Sequence, residues 1–400
     1  MKSEWTYRPL GELVSFASGG TPSKKRDDYW GGTIPWISAK TLKTENIDTS
    51  DLFITEEGLK AGSKIAPKGS ILLLTRGSGL FNGIPIARVE KDVAFNQDIK
   101  CLDSYGEVEN EFIFYWLLSQ KDYLMAKVGV TGIGAGKFDL DFLQKLMIPI
   151  PSERERKSIV GFASSISEKI RCNAKVNDNL QQQAVTLFKS WFVDFSLFGG
   201  TVPENWEDTT LENITTLITR GIAPKYSNDS DQTVINQKCI RNHTIDLSLA
   251  RSHTPKAINE KWLQFGDLLI NSTGDGTLGR VAQVWFAPKA LTVDYHVTIV
   301  RPAREELIFY IGLWGILHEK EIESLHTGST GQTELPRDRV KMLKLLLPDN
   351  ISLSRFNSII APMTSTIISN QEENQKLANL RDTLLPKLMS CEIGVANIQL

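Results

Sequence analysis

One helical pattern occurs twice in this chain. Apolar residues spaced alternately by four and three positions recur from Ile159 to Trp191, which is the seam pattern of a coiled coil. Adding 197 to each position gives a second seam, from Phe356 to Leu388. Each seam contains two asparagines at matching places: Asn173 and Asn177 in the first, Asn370 and Asn374 in the second. Two matching helices with buried amides predict one paired structure rather than two unrelated surface helices.

The sequence leaves the direction of this pairing open. In an antiparallel pair, Asn173 faces Asn374 and Asn177 faces Asn370, so that every buried amide has a partner. A parallel pair also matches asparagine with asparagine. We favour the antiparallel pair because it relates the two halves of the chain by a pseudo-two-fold axis. Buried asparagines at seam positions fix the register at some cost in stability.

The two helices differ at their beginnings. Ser152 and Glu155 predict a capping box at the start of the first helix, after Pro151. Pro362 lies in the second helix where the first has Ser165. Because proline lacks a backbone donor, we expect a kink at Pro362 or a later effective start of the second helix.

The segments before the two helices also repeat. Trp5 and the LGEL stretch correspond to Trp206 and the LENI stretch, and the apolar run after Gly69 corresponds to the one after Gly266. Strand-like runs and Gly-rich turns alternate, whereas the loops between the anchors differ almost completely. We therefore predict an α+β fold with two mixed α/β domains separated by two long antiparallel coiled-coil helices. The predicted segments are 1–150, 151–198, 199–348 and 349–400.

A duplicated frame with different loops suits a protein that reads two different targets at a fixed separation. About 33 helical residues span ~50 Å, which is about one and a half turns of B-DNA. Charge does not point to a basic nucleic-acid-binding domain, because 45 Lys+Arg stand against 47 Asp+Glu. Residues 1–150 contain 18 Lys+Arg and 19 Asp+Glu, and residues 203–348 contain 16 Lys+Arg and 18 Asp+Glu. DNA binding would need local clusters or further charge from partners.

Three segments together resemble the specificity subunit of type I restriction-modification systems. They are GGTPSKKRDDYWGGTIPW, then LFKSWFVDF followed by PENWEDTTLENI, and LRDTLLPKLMSCEI. The resemblance covers the whole chain. It implies a non-catalytic DNA-binding subunit with two target-recognition domains, each reading one half of a split, asymmetric site in double-stranded DNA.

The resemblance also implies partners. Two methyltransferase subunits would bind S-adenosylmethionine and methylate adenine, and ATP-dependent restriction subunits would translocate and cut DNA, so no cofactor is expected in this chain. The four cysteines are widely spaced, which indicates neither a zinc site nor a disulfide framework. The N-terminal stretch lacks an apolar signal core and no apolar run is long enough to span a membrane, so we expect a cytoplasmic protein.

Motifs for catalysis are weak. The GDGTLG stretch at Gly274–Gly279 matches a nucleotide-binding pattern, but the RVAQVWF that follows alternates like a strand, which favours a hairpin loop. No methyltransferase, nuclease or metal-ligand spacing emerges, and we predict no catalytic or metal-binding residue. Two alternatives stay open: a catalytic subunit with an unrecognised site, and a protein-binding scaffold that never touches DNA.

The candidate DNA contacts are basic or polar residues in the loops. Cations suit phosphate, arginine suits guanine, and asparagine or glutamine suits adenine, although such loop residues are often simply solvated. The candidates are Lys24, Lys25, Arg26, Arg76, Ser78 and Lys137 in the first half, and Arg220, Lys225, Tyr226, Asn271, Thr273, Thr330 and Gln332 in the second. Phe188, Trp191, Phe192 and Phe195, with Leu384, Leu385 and Leu388, either dock the methyltransferase subunits or cap the domain cores.

Overall fold

The computed structural model describes residues 5–132, 134–227, 229–328 and 333–394. It contains two helices of 40 residues, the first long helix Glu153–Phe192 and the second long helix Asn350–Met389. The chain divides into two compact units. The first unit comprises 1–171 and 374–400, and the second comprises 172–373. Each unit therefore contains one α/β domain and one part of each long helix.

The first unit is built on a five-stranded sheet with a helix against it. Asn110–Ser119 is apolar on all sides and almost wholly buried, as expected for a core helix. The main sheet has the order Val14–Ser18, Ile99–Ser104, Ile71–Leu74, Ile86–Val89, Asn46–Ile47, and a second sheet has the order Phe53–Ile54, Trp30–Ile37, Val93–Phe95, Lys64–Ala66. Smaller pairings are Thr6–Pro9 with Met147–Ile150, and Gly129–Val130 with Gly136–Lys137 and Arg76–Gly77. The other short helices are Leu10–Leu13, Glu56–Gly62, Lys121–Met125 and Leu140–Gln144.

The second unit repeats this frame. Its main sheet has the order Thr215–Arg220, Val297–Pro302, Leu268–Asn271, Val281–Gln283, and a smaller sheet has the order Arg251–Ser252, Thr233–Ile235, Leu291–Val293. Glu207–Thr210 pairs with Lys344–Leu347, and Ile240–Arg241 with Thr244–Ile245. Its short helices are Ile308–Leu317, Glu319–Ser324 and Arg337–Lys341. The predicted α+β class with an internal repeat is confirmed.

The GDGTLG stretch is a hairpin loop, as predicted. It connects Leu268–Asn271 to Val281–Gln283, and these strands pair antiparallel with Ile270 opposite Val281. In the first unit the strands Ile71–Leu74 and Ile86–Val89 pair in the same way. A dinucleotide site would instead need a helix to begin at the glycines.

The long helices pair antiparallel within each unit. In the second unit, the ring of Phe356 lies near the start of one helix and packs 4.8 Å from the ring of Phe192 at the end of the other. Asn370 Nδ2 also donates to Asn177 Oδ1 over 2.8 Å, which is one of the two facing pairs that the antiparallel register predicts. In the first unit, Ile159 near the start of the first long helix shares a core with Leu388 near the end of the second.

The other two seam asparagines also donate hydrogen bonds inside their own units. Asn173 Nδ2 donates to Glu373 Oε2 over 2.7 Å in the second unit. Asn374 Nδ2 donates to the carbonyl of Ile170 over 3.3 Å in the first unit. The seam amides, of which Asn173 is buried and the other three are half-buried, thus find polar partners along the middle of the seam.

The start of each long helix is capped by a side chain. The predicted box is present at the first, where the Ser152 N–H donates to Glu155 Oε2 over 3.1 Å and the Glu155 N–H donates to Ser152 Oγ over 3.4 Å. The second helix begins at Asn350, well before Pro362, and is continuous to Met389. The expectation that Pro362 delays its start is therefore wrong.

Asp349 caps the second long helix and contacts the domain before it. Its Oδ1 accepts from the N–H of Ser352 over 3.0 Å, and its Oδ2 accepts from Trp206 Nε1 over 2.8 Å. Burial alone would raise the pKa of this carboxyl, but the hydrogen bonds from Ser352 and Trp206 outweigh burial and lower the pKa to about 2. Asp349 is thus a helix cap.

Replacing Asp349 with alanine is expected to lower the free energy of unfolding of the second unit by about 1 kcal/mol at neutral pH. Because the folded pKa lies below the ordinary value of 3.8, the contribution is complete above about pH 4 and disappears as the pH falls through about 2. Urea denaturation of both proteins at a series of pH values measures this. Asp208→Ala, at an exposed strand position, is the control. A destabilisation that stays constant between pH 5 and pH 2.5 would contradict the capping role.

Candidate nucleic-acid interface

Arg76 and Lys137 come together at one end of the main sheet of the first unit. They are cross-strand neighbours on the short strands Arg76–Gly77 and Gly136–Lys137, and both are exposed. With Gln97 and Lys100 they line a cavity of about 280 Å³, which we call the basic cleft. The lining contains three cations, Arg76, Lys100 and Lys137, and the carboxylate of Asp139, so the cleft carries a net positive charge. Such a surface attracts the phosphates and the acceptor groups of bases.

Backbone hydrogen bonds hold the basic cleft in place. The N–H of Thr75 donates to the carbonyl of Asp98 over 2.8 Å, and the N–H of Phe138 donates to the carbonyl of Thr75 over 2.9 Å. Lys100 Nζ bonds to Ser18 Oγ on the neighbouring strand. Thr21 Oγ1 donates to Gln97 Oε1 over 2.7 Å, so the basic loop that contains Lys24 to Arg26 begins beside the cleft.

The basic loop is exposed but its three charges are not equivalent. Arg26 makes two hydrogen bonds to Asp28, of 2.8 Å from Nε and 2.6 Å from Nη2, and its guanidinium lies 4.8 Å from the Tyr29 ring. The hydrogen bond from Arg26 lowers the pKa of Asp28 and keeps that carboxylate charged. Asp28 therefore offsets Arg26, and Lys24 and Lys25 against Asp27 leave the loop with one net positive charge.

In each unit, a glycine begins the loop that follows the first strand of the main sheet. A Cβ on Gly19 would lie 2.0 Å from the carbonyl oxygen of Phe95, and a Cβ on Gly221 would lie 1.9 Å from that of Val293. Only glycine fits this close approach in either unit. Ser78, the remaining candidate in the first unit, is exposed in the short 3-10 turn Ser78–Phe81.

The candidates in the second unit do not form one basic surface. Arg220 is half-buried, donating to the carbonyl of Leu335 over 2.9 Å and pairing with the carboxylate of Glu334 at 2.7 Å. Asn271 is fully buried and donates to the carbonyl of Gln237 over 3.0 Å, so its side chain is not available at the surface. Thr273 is half-buried and hydrogen-bonded to His296. Thr330 and Gln332 lie outside the described residues.

The structure adds residues of the second unit that sequence reasoning missed. The guanidinium of Arg251 lies 3.6 Å from the centroid of the Tyr226 ring, beside the exposed Lys225. The Tyr295 side chain is also exposed, and its ring lies 3.9 Å from that of His296. Sheet pairing brings Arg251 next to Tyr226, and no local sequence motif identifies Arg251 as a candidate. The Tyr295-His296 pair, in contrast, could have been found from the sequence repeat, because it lies 198 residues after Gln97 and Asp98.

The aromatic residues at the end of the first long helix are core residues. Phe188, Trp191 and Phe192 are buried, and they pack with Trp206, Phe198, Tyr310 and Phe356. Leu385 and Leu388 of the second long helix are buried in the core of the first unit. These five buried residues therefore belong to the domain cores, as the capping alternative predicts, and the half-buried Phe195 and Leu384 pack against the same cores. Val193 and Leu197 are the exposed apolar residues beside them.

Within the described residues, no group of three or more His, Cys, Asp or Glu side chains is arranged to hold a metal ion. None of the described helices combines the length and apolar character that crossing a bilayer demands.

Comparison with known proteins gives a consistent result. Residues 2–182 match the family model of the type I restriction modification DNA specificity domain. The specificity subunit of the type I restriction enzyme MjaIX from Methanocaldococcus jannaschii is 26% identical over 99% of this chain and 95% of its own length. That of EcoR124I/EcoR124II from Escherichia coli is 31% identical over 40% of each chain.

A solved structure shares the fold. The type I restriction-modification S subunit from M. genitalium superposes with a TM-score of 0.55 at 17% identity, covering 97% of this chain and 96% of that one. The repeated frame and the paired helices thus occur together with a sequence match over nearly the whole chain. Over nearly its whole length this chain is thus similar to type I restriction-modification specificity subunits, and its residues 2–182 match the DNA specificity domain of that family.

Proposed function

We propose that this chain is the DNA sequence-specificity subunit of a type I restriction-modification complex, with each α/β domain reading one half of a bipartite, asymmetric site in double-stranded DNA. The observation that carries this proposal is one backbone frame that occurs twice with different side chains at the same end of the sheet. Two identical surfaces would read two identical half-sites. Two surfaces that differ on one frame suit an asymmetric site.

The basic cleft and the loop beside it provide the DNA-binding chemistry of the first domain. Lys24 and Lys25 would hold phosphates, which fixes the position of the domain on the duplex without selecting a sequence. Arg76 and Lys137 would reach base edges from the end of the sheet. Because each half of the chain has nearly balanced charge, partner subunits would supply much of the remaining attraction to DNA.

The long helices would set the separation of the half-sites and dock two methyltransferase subunits. The chain itself would be non-catalytic and would hold no cofactor. S-adenosylmethionine would bind to the methyltransferase subunits, and ATP to the restriction subunits. The methyltransferase subunits would modify adenines extruded from the bound site.

The proposal is tested by mapping DNA methylation in a strain with and without this chain, with the methyltransferase partner expressed in both. One split adenine-methylation motif is expected to appear only when the chain is present. Co-purification of the chain with its partner shows that the complex has assembled. An assembled complex that methylates no motif would overturn the proposal and favour the scaffold alternative.

Each domain is expected to read its own half-site of DNA independently of the other domain. Exchange of residues 203–348 for the corresponding segment of another family member should change the second half-site completely and leave the first half-site and the gap unchanged. Methylation mapping of the hybrid measures all three. A hybrid that alters both half-sites would show that the domains do not read their halves separately.

A further inference from the structure

The two units place one pair of residues in the same backbone setting. In the first unit, the Thr75 N–H donates to the Asp98 carbonyl over 2.8 Å, and the Phe138 N–H donates to the Thr75 carbonyl. In the second unit, Ser272 donates to the carbonyl of His296 over 2.7 Å, and Leu335 donates to the carbonyl of Ser272 over 2.8 Å. Each position in the second unit is 197 or 198 residues after its counterpart.

These hydrogen bonds make two cross-strand pairs equivalent. Arg76 lies opposite Lys137 in the first unit, and Thr273 lies opposite Glu334 in the second. We call these two pairs the facing pairs. Directly opposite residues have Cβ atoms about 5 Å apart, so the two side chains of a facing pair act on one small area.

The chemistry of the facing pairs is opposite. Arg76 and Lys137 carry hydrogen-bond donors only, and Lys100 adds a third cation to the cleft that they line. Thr298 stands where the first unit has Lys100, and it is fully buried. Glu334 carries acceptors only, and one of its oxygens is paired with Arg220. The first facing pair is thus cationic and donating, whereas the second combines a hydroxyl that is hydrogen-bonded to His296 with an accepting carboxylate whose charge is countered by Arg220.

We propose that the facing pair is the specificity-determining position of each domain. Arg76 and Lys137 select guanine in the first half-site, and Thr273 with Glu334 selects a base that presents an amino group, cytosine or adenine. This inference rests on the proposed DNA-reading function and assigns it to four residues.

The base edges explain this choice. Guanine presents two acceptors, N7 and O6, in the major groove, and these match the donors of arginine or lysine. The free oxygen of a carboxylate accepts from the amino group of cytosine, and is repelled by the acceptors of guanine. The Arg220 guanidinium restrains Glu334 from the other side, so that the carboxylate keeps one orientation.

The test uses the complete complex with its methyltransferase partner. The double variant Arg76→Thr, Lys137→Glu gives the first domain the facing pair of the second. Methylation mapping is expected to show an unchanged second half-site and gap, with guanine lost at one or two positions of the first half-site. Lys91→Glu is the matched control, because Lys91 is exposed at the opposite end of the strand Ile71–Leu74. It should leave the motif unchanged.

Binding measurements make the test decisive even if the double variant methylates nothing. Each guanine of the first half-site is replaced in turn, and the affinity of the wild-type complex should fall about tenfold or more at one of them. The same guanine replacement should lower the affinity of the Arg76→Thr complex less than twofold. A first half-site without guanine, an unchanged motif from an active double variant, or equal losses in wild type and Arg76→Thr would overturn the inference. None of these results would affect the proposed function, which fails only if the wild-type complex methylates no motif.

Discussion

Replacement of Asp267 by asparagine is expected to lower the free energy of unfolding of the second unit by about 3–5 kcal/mol. Asp267 is fully buried and makes two hydrogen bonds of 2.8 Å with Arg301. Arg301 also donates to the carbonyls of Glu260 and Trp262. Without the carboxylate, a largely buried guanidinium loses its counter-charge, and its desolvation is no longer compensated.

Urea denaturation of the purified chain measures this effect. The control is Glu212→Gln, which breaks the exposed ion pair between Glu212 and Lys341 and should cost less than about 1 kcal/mol. The first unit has Ser70 and Asp103 at the equivalent positions, so its unfolding should be unaffected. Equal effects of Asp267→Asn and Glu212→Gln would show that the buried pair has no special role.

Insertion of one heptad into both long helices is expected to abolish methylation at the original gap and create a motif with a longer one. Seven residues add ~10.5 Å of helix, about three base pairs of B-DNA. Insertion after Cys172 and after Glu373 keeps the antiparallel seam in register, because the seam repeats every seven residues. Both half-sites should keep their bases, since neither α/β domain changes. Methylation mapping reads the gap directly.

Insertion into one helix alone is the control. It makes one helix seven residues longer than the other, so the seam cannot stay in register on both sides of the insertion, and it should reduce the yield of folded chain. An unchanged gap after the double insertion, in an active complex, would show that the helices do not set the separation.

Periodic features of the fold were predictable from sequence. The seam requires only a repeat of four and three, and the shared asparagines identify its partner. Once the antiparallel direction is chosen, the pairing of Asn177 with Asn370 follows from the residue numbers. The hairpin at Gly274–Gly279 was predictable because strand alternation continues after the glycines. The antiparallel direction was one of two possibilities, and long-range packing decided it.

Individual long-range contacts were not predictable. Arg381 occupies the seam position that matches the buried Ala184, and its charge is matched by Glu45, whose Oε2 lies 2.6 Å from Arg381 Nη1. Burial alone would raise the pKa of Glu45, but Arg381 and Lys121 lower it. Arg220 and Asn271 fit loop positions by pattern, yet both bond to backbone carbonyls distant in sequence. Periodicity cannot identify such partners.

The first unit is discontinuous along the chain, and this affects the order in which the protein is made. Its core contains Leu385, Leu388 and Met389, at the end of the second long helix, whereas the second unit is the single segment 172–373. On the ribosome, the N-terminal domain emerges first but cannot complete its core until Met389 is synthesised. The second unit is one segment that ends before these last core residues, so its core can form without them, whereas the first unit needs both of its segments.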